Sequence, residues 1–252
     1  MIKVLINGAL GKMGKKVYNK CLEEQDVVAV AGVDVKQDLS NADFPIYDSY
    51  EKVTEKVDVV IDFTRPASLD STLKFLLDNN TPAVLCTTGY SAEDIEKINQ
   101  ASKKVAIFRS ANMSLGVNVL TELVTKAAKT LFDFDIEIIE KHHNQKVDAP
   151  SGTALMLADA VKNTLPEKFY TYGREGIVGK RDKNEIGIHA IRGGNIVGEH
   201  QVIFAGENET VTLTHQATDR GVFAIGAIKA GKFIATKESG LYDMFDLLRD
   251  KC

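Results

Sequence analysis

The chain has 252 residues, 44% hydrophobic and 26% charged, with a formal net charge of −4. Such a length and balance describe two modest folded domains whose cores need no disulfide or structural metal, and they exclude disorder and collagen-like repeats. The acidic balance argues against a nucleic-acid partner. The three scattered cysteines, Cys21, Cys86 and Cys252, form no Cys-x-x-Cys pair and point to a reducing cytoplasm. No signal peptide is expected at the N-terminus, and no apolar run approaches the roughly 18 residues of a membrane span.

Ile2–Ile6 is a short apolar run stopped by glycine and reads as a buried strand. Lys12–Gln25 places Met13, Val17 and Leu22 among lysines and glutamates, an amphipathic helix. Val27–Val33 is a second strand ending at Asp34, and Val57–Phe63 a third. Helices are expected over Ala67–Asp78 and Ala92–Ser102, with strands over Ala83–Cys86 and Val105–Phe108. This alternation, with near-continuous apolar strands, predicts a doubly wound, Rossmann-like α/β domain on a parallel sheet.

Beyond about Asn112 the pattern changes. Leu115–Thr130 reads as a long helix and Phe134–Glu140 as a strand, followed by a helix over Ser151–Leu165 with Ser151 as its N-cap. Pro166–Asn184, rich in glycine and charge, reads as a mobile loop. Three strand-like runs follow, Ile186–Ile191, Ile196–Phe204 and Thr210–Thr214. Gly193-Gly194-Asn195 and Gly206-Glu207-Asn208 divide them and predict turns between antiparallel strands. A last helix spans Asp219–Ile234. This part of the chain is read as a smaller α+β domain with a mixed sheet. Periodicity leaves open which domain the final segment joins.

The turn Gly8-Ala9-Leu10-Gly11-Lys12-Met13-Gly14 lies between the first strand and the first helix. Glycines there permit a tight turn, close approach to a pyrophosphate and close helix–strand packing, while the helix N-terminus offers free amides. Asp34 follows Gly14 by 20 residues, where an acid accepts hydrogen bonds from the ribose of a dinucleotide. It disfavours a 2′-phosphate, but Lys12 and Lys36 stand near enough in sequence to offset it, so both NADH and NADPH stay open. Thr64, Thr87 and Gly89 follow other strands and fall where the ligand crevice should lie.

The run Glu137–Ala154 is dense in proton carriers and anion binders. His142 and His143 are adjacent, Lys146 follows, and a helix N-terminus comes next. Histidine exchanges protons near neutral pH. Lys146 can donate a proton or hold a carboxylate, and Ser151, Gly152 and Thr153 supply hydroxyls and amides for an anion. No third metal ligand sits at a sensible spacing, so no metal is expected. The residues alone support a nicotinamide-dependent reductase of a small anionic substrate. Two alternatives stand beside a specific assignment: a reductase of another imine or aldehyde, and a non-catalytic NAD(P)H sensor.

The run Glu-Ile-x-Glu-x-His-x-x-x-Lys-x-Asp-x-Pro-Ser-Gly-Thr-Ala over Glu137–Ala154 resembles the signature of the 4-hydroxy-tetrahydrodipicolinate reductase family, long called dihydrodipicolinate reductase. The resemblance extends to Gly8–Gly14, Asp62–Pro66, Thr87–Gly89, Ser110–Ser114, Gly116–Val119 and Ile191–His200. It implies NADH- or NADPH-dependent reduction of 4-hydroxy-tetrahydrodipicolinate to tetrahydrodipicolinate on the way to diaminopimelate and lysine. His142 would be the catalytic acid with Lys146 as partner, and His143, Lys146, Ser151, Gly152 and Thr153 would bind the dicarboxylate substrate. Gly8, Gly11, Lys12, Met13, Gly14, Asp34, Thr64, Thr87, Gly89, Ala111, Asn112, Met113 and Arg220 would hold the cofactor. The resemblance further implies a nucleotide domain of residues 1–112 and 218–252, and a substrate and oligomerisation domain of residues 113–217. A homotetramer would form through the second domain's sheet.

Overall fold

Val4, Leu5 and Ile6 are all buried in β1 (Ile2–Asn7), so both faces of the strand are covered, as its unbroken apolar run requires. The computed structural model describes residues 1–35 and 43–250, and Lys36 and Cys252 lie outside the described residues. After β1 come α1 (Lys12–Glu23), β2 (Val27–Val33), β3 (Ile46–Tyr47), β4 (Val59–Asp62), α2 (Leu69–Asn79), β5 (Ala83–Leu85), α3 (Ala92–Ser102) and β6 (Ala106–Arg109). Then follow α4 (Leu115–Thr130), β7 (Asp135–His142), α5 (Gly152–Thr164), β8 (Phe169–Tyr172), β9 (Glu185–Arg192), β10 (Gly198–Ala205) and β11 (Thr210–Ala217). The chain ends with α6 (Gly221–Ile234), β12 (Gly240–Tyr242) and α7 (Met244–Arg249).

Two units result, one of Met1–Ser114 with Gly221–Cys252 and one of Leu115–Arg220. The first holds a seven-stranded sheet in the order β12-β6-β5-β4-β1-β2-β3, every neighbouring pair parallel. The chain runs outward from β1 through β2 and β3, then returns to β4 on the other side of β1. That reversal opens a crevice beyond the carboxyl ends of β1 and β4. Helices cover both faces, α6 lying beside α1 and against β4, β5 and β6. The final segment therefore belongs to the first unit, which periodicity had left open.

The second unit's five-stranded sheet has the order β11-β10-β7-β9-β8. It is mixed: β7 pairs parallel with β9 and antiparallel with β10, and β10 pairs antiparallel with β11. The turn at 206–208 thus joins hydrogen-bonded antiparallel neighbours. The turn at 193–195 does not, because β7 is inserted between β9 and β10. Its backbone caps the end of β7 instead, Gly193 N donating to His142 O at 2.9 Å and Asn144 N to Gly194 O at 3.2 Å. The segment expected as a mobile loop contains β8, which pairs with β9. It is also tied down by Arg174 and Arg181, both bonded to Glu137 on β7.

Alternation along β7 and β10 explains where chemistry can occur in this unit. Ile136, Ile138, Glu140 and His142 point to one face of β7, and Gly198, His200, Val202 and Phe204 to one face of β10. At one end this face is apolar and packs with Leu157, Ala158 and Val161 of α5. At the other end the same face turns polar, beside the N-terminus of α5.

Candidate active site

In the first unit, a cleft of about 630 Å³ lies at the carboxyl ends of β1, β2 and β4. Gly8, Gly11, Asp34 and Thr64 line it, together with Asn7, Phe63 and Arg65. Gly8 adopts φ +81°, and a Cβ there would stand 3.1 Å from Phe63 O and 3.2 Å from Thr64 Cγ2. Gly11 caps α1 with no side-chain hydrogen bond, so the amides of the first helical turn are not claimed by the cap. Asp34 follows β2, and its Oδ2 accepts from Leu10 N at 2.9 Å, holding the turn against the strand end.

Lys12, Met13 and Gly14 continue from the turn into α1. Thr87 and Gly89 follow β5, Thr87 buried and Gly89 at φ +81°, while Ala111, Asn112 and Met113 follow β6. In that last turn Ser114 N donates to Asn112 Oδ1 at 2.9 Å. Asp62, at the end of β4, anchors the cleft-lining Thr64. Its Oδ1 accepts from Thr64 N at 2.8 Å and Thr64 Oγ1 at 2.6 Å, and Thr64 is bonded in turn to Ser68. Burial pushes the Asp62 carboxyl up to about 6, despite the Thr64 bonds that oppose it.

The second unit gathers the Glu137–Ala154 cluster. His142 Nδ1 donates to Glu140 Oε2 at 2.6 Å; an ionised carboxylate has no hydrogen to give, so the ring carries its proton on Nδ1. Arg192 grips Glu140 with both terminal nitrogens, at 2.8 and 2.7 Å, and Ser151 N donates to Glu140 Oε1 at 3.0 Å. Burial alone would raise Glu140, but Arg192, His142 and Ser151 together outweigh it and hold the carboxyl below its usual range. For His142, burial lowers the ring; Glu140 opposes that, and the charges of Lys146 and Arg192 add to the lowering.

Ser151 caps α5, its Oγ accepting from Ala154 N at 3.2 Å and sharing a 2.9 Å hydrogen bond with His200 Nε2. His200 lies edge-on to His142, with ring centroids 5.2 Å apart, and burial pushes it down to about 4, so it is neutral. Lys146 pairs with Asp148 at 2.8 Å. Arg220 donates to His143 Nε2 at 3.1 Å, which places it beside the histidine pair of its own unit. Gly152 and Thr153 open α5. Glu140, Arg192 and His200 were not singled out as functional from the sequence. The period-two alternation that puts Glu140 and His142 on one face of β7 was the signal for the first of them.

Among the described residues, no group of three or more His, Cys, Asp and Glu side chains is placed to hold a metal ion. No helix among them is long and apolar enough to cross a membrane.

Models described as dihydrodipicolinate reductase, N-terminus, and dihydrodipicolinate reductase, C-terminus, match residues 2–113 and 116–248. The chain belongs to the dihydrodipicolinate reductase family. It is an NAD(P)H-dependent oxidoreductase. A relative named 4-hydroxy-tetrahydrodipicolinate reductase from Clostridium tetani is 52% identical over 97% of this chain and 96% of its own. Another of the same name, from Caldanaerobacter subterraneus subsp. tengcongensis, is 52% identical over 99% of both chains. Among solved structures, a dipicolinate-bound dihydrodipicolinate reductase from Paenisporosarcina sp. TG-14 is similar with a TM-score of 0.82, 27% identity and coverage of 96% and 97%. A probable dehydrogenase from Thermotoga maritima shares the fold at a TM-score of 0.65 and 10% identity, covering 98% of this chain and 92% of its own.

Proposed function

We propose that this chain reduces 4-hydroxy-tetrahydrodipicolinate to tetrahydrodipicolinate with NADH or NADPH, in the route to diaminopimelate and lysine, and that His142 supplies the proton. The observation that carries the reading is the His142 imidazole, held through Nδ1 by a buried carboxylate, close in the chain to Lys146 and to the N-terminus of α5. An acid–base group adjoining anion-binding groups is what reduction of a carboxylate-bearing ring demands.

The first unit's residues fit a dinucleotide. Gly8 makes a bare-backbone approach, Gly11 leaves helix amides unclaimed, and the cleft they line has the volume of a cofactor site. Gly8, Gly11, Lys12, Met13, Gly14 and Asp34 would hold the adenosine and pyrophosphate. Thr64, Thr87, Gly89, Ala111, Asn112 and Met113 would follow the nicotinamide half. When bound, the reduced nicotinamide would supply the hydride that ring C4 of the substrate receives once the C4 hydroxyl and a proton from the adjacent ring carbon have left together as water.

His142 gives a proton to the adjacent ring carbon, directly or through Lys146, so that one hydride and one proton are added while one water is lost. Cationic Lys146 disfavours negative charge left on the ring. His143, Lys146, Ser151, Gly152 and Thr153 receive the two carboxylates, with the Arg220 guanidinium beside His143. The dipicolinate-bound relative supports a planar dicarboxylate as the occupant.

The face of the second unit's sheet that bears Ile139 and Ile203 is opposite the one packed against α5, and we assign it to contacts within a homotetramer. The buried free thiols of Cys21 and Cys86 support a reducing, cytoplasmic setting. The test is loss of nicotinamide absorbance with substrate generated in place from pyruvate and aspartate semialdehyde, NADH and NADPH run in parallel. Rapid oxidation is expected. Absence of oxidation in protein that binds NADH would favour a different anionic substrate or a sensor.

A further inference from the structure

A buried carboxylate that accepts four hydrogen bonds is a fixed object. Glu140 has two from Arg192, one from His142 and one from the Ser151 amide, which fills the acceptor sites of both oxygens. Arg192 is itself anchored, its NH1 donating to Ile191 O at 2.8 Å and its NH2 to Asp148 O at 2.7 Å. Cross-strand register explains the assembly: His142 on β7 stands opposite Arg192 on β9, and Glu140 stands opposite His200 on β10. Beside them, Gly198 has no side chain where a Cβ would stand 3.0 Å from His142 Nε2. The ring therefore has one orientation, set by Glu140 on one nitrogen and admitted by Gly198 at the other.

We propose that Glu140 and Arg192 are positioning residues for proton transfer: Glu140 locks the His142 ring through Nδ1 so that Nε2 is the proton-delivering atom, and Arg192 holds Glu140 in place and counterbalances its charge. This rests on the reading of His142 as the proton donor. The arrangement gives the two residues opposite influences on the ring. Glu140 favours the imidazolium and Arg192 disfavours it. The other groups facing the ring are His200 on β10, itself opposite His215 on β11, and Lys146 with its partner Asp148 in the loop after β7.

The sign of each effect follows. An acid catalyst works while protonated, so kcat/KM falls as pH rises through the pKa of the ring. Removing the Glu140 charge makes the imidazolium less favourable and moves that alkaline limb to lower pH. Removing the Arg192 charge makes it more favourable and moves the limb to higher pH.

The experiment compares full-length wild type, Glu140→Gln, Glu140→Asp, Arg192→Gln and His142→Gln for kcat, KM, pH profile and NADH affinity. Glu140→Gln should lower kcat by at least about tenfold, leave NADH affinity within about twofold, and shift the alkaline limb downward. Glu140→Asp should keep the wild-type limb at reduced kcat. Arg192→Gln should shift the limb upward, and it carries the test by itself if Glu140→Gln does not fold. Equal losses with an unmoved limb in both charge-removing variants would make the pair structural and overturn the proposal. Full activity in His142→Gln would instead overturn the proton-donor reading on which it rests.

Discussion

A Cβ on Gly14 would stand 2.2 Å from Gly8 O and 2.8 Å from the Ala9 Cα, both backbone atoms with no freedom to retreat. Gly14→Ala must therefore push α1 away from the turn that we propose cradles the pyrophosphate. We expect an NADH affinity at least about tenfold weaker, roughly 1.4 kcal/mol, read by fluorescence titration. Gly11→Ala meets only Gly8 O at 3.1 Å and should lose far less. Equal binding by Gly14→Ala and wild type would remove close helix–turn packing from the account. The three glycines were legible in the sequence because a missing side chain leaves its mark in a short motif. Arg192 and His200 were not, because they meet Glu140 and His142 only by pairing across strands whose order no spacing reveals.

Among the elements, α5 combines stability and site. Ser151 satisfies the Ala154 amide as N-cap and also engages His200, so one hydroxyl joins the helix start to the polar end of the sheet. Ser151→Ala should cost about 1–2 kcal/mol in urea unfolding, and Ser151→Thr should recover most of it. An unchanged midpoint in Ser151→Ala would show that the cap contributes nothing. The cap, the helix and β7 could all be read from residue types. The place of β7 between β9 and β10 could not, because a glycine turn signals reversal of the chain but not which strand lies beside it. β8 was missed for a related reason: Phe169–Tyr172 is a short edge strand whose alternation is lost among charged neighbours. Local pattern finds an element; pairing depends on residues far away in the chain.

At the scale of the whole molecule, the chain builds two cores, one in each unit. One is organised around β1, with Leu5, Val60, Leu85 and Ile107 buried among the flanking helices, and its strand ends carry the nucleotide cleft. The other packs α4 and α5 on the mixed sheet through Leu120, Val124, Leu157, Ile138 and Phe204, and its polar end carries His142. The alternating αβ pattern of the first and the strand turns of the second were visible from composition and period. The return of α6 and β12 to the first sheet was not, since a helix pattern does not say which sheet it covers. On the proposed reading this division separates hydride-donor binding from proton delivery, and His142→Gln tests that separation. The measurement is turnover with freshly generated 4-hydroxy-tetrahydrodipicolinate, set beside NADH affinity of the same protein. The account predicts a loss in kcat of at least about 100-fold with NADH affinity unchanged. Turnover equal to that of wild type would contradict it.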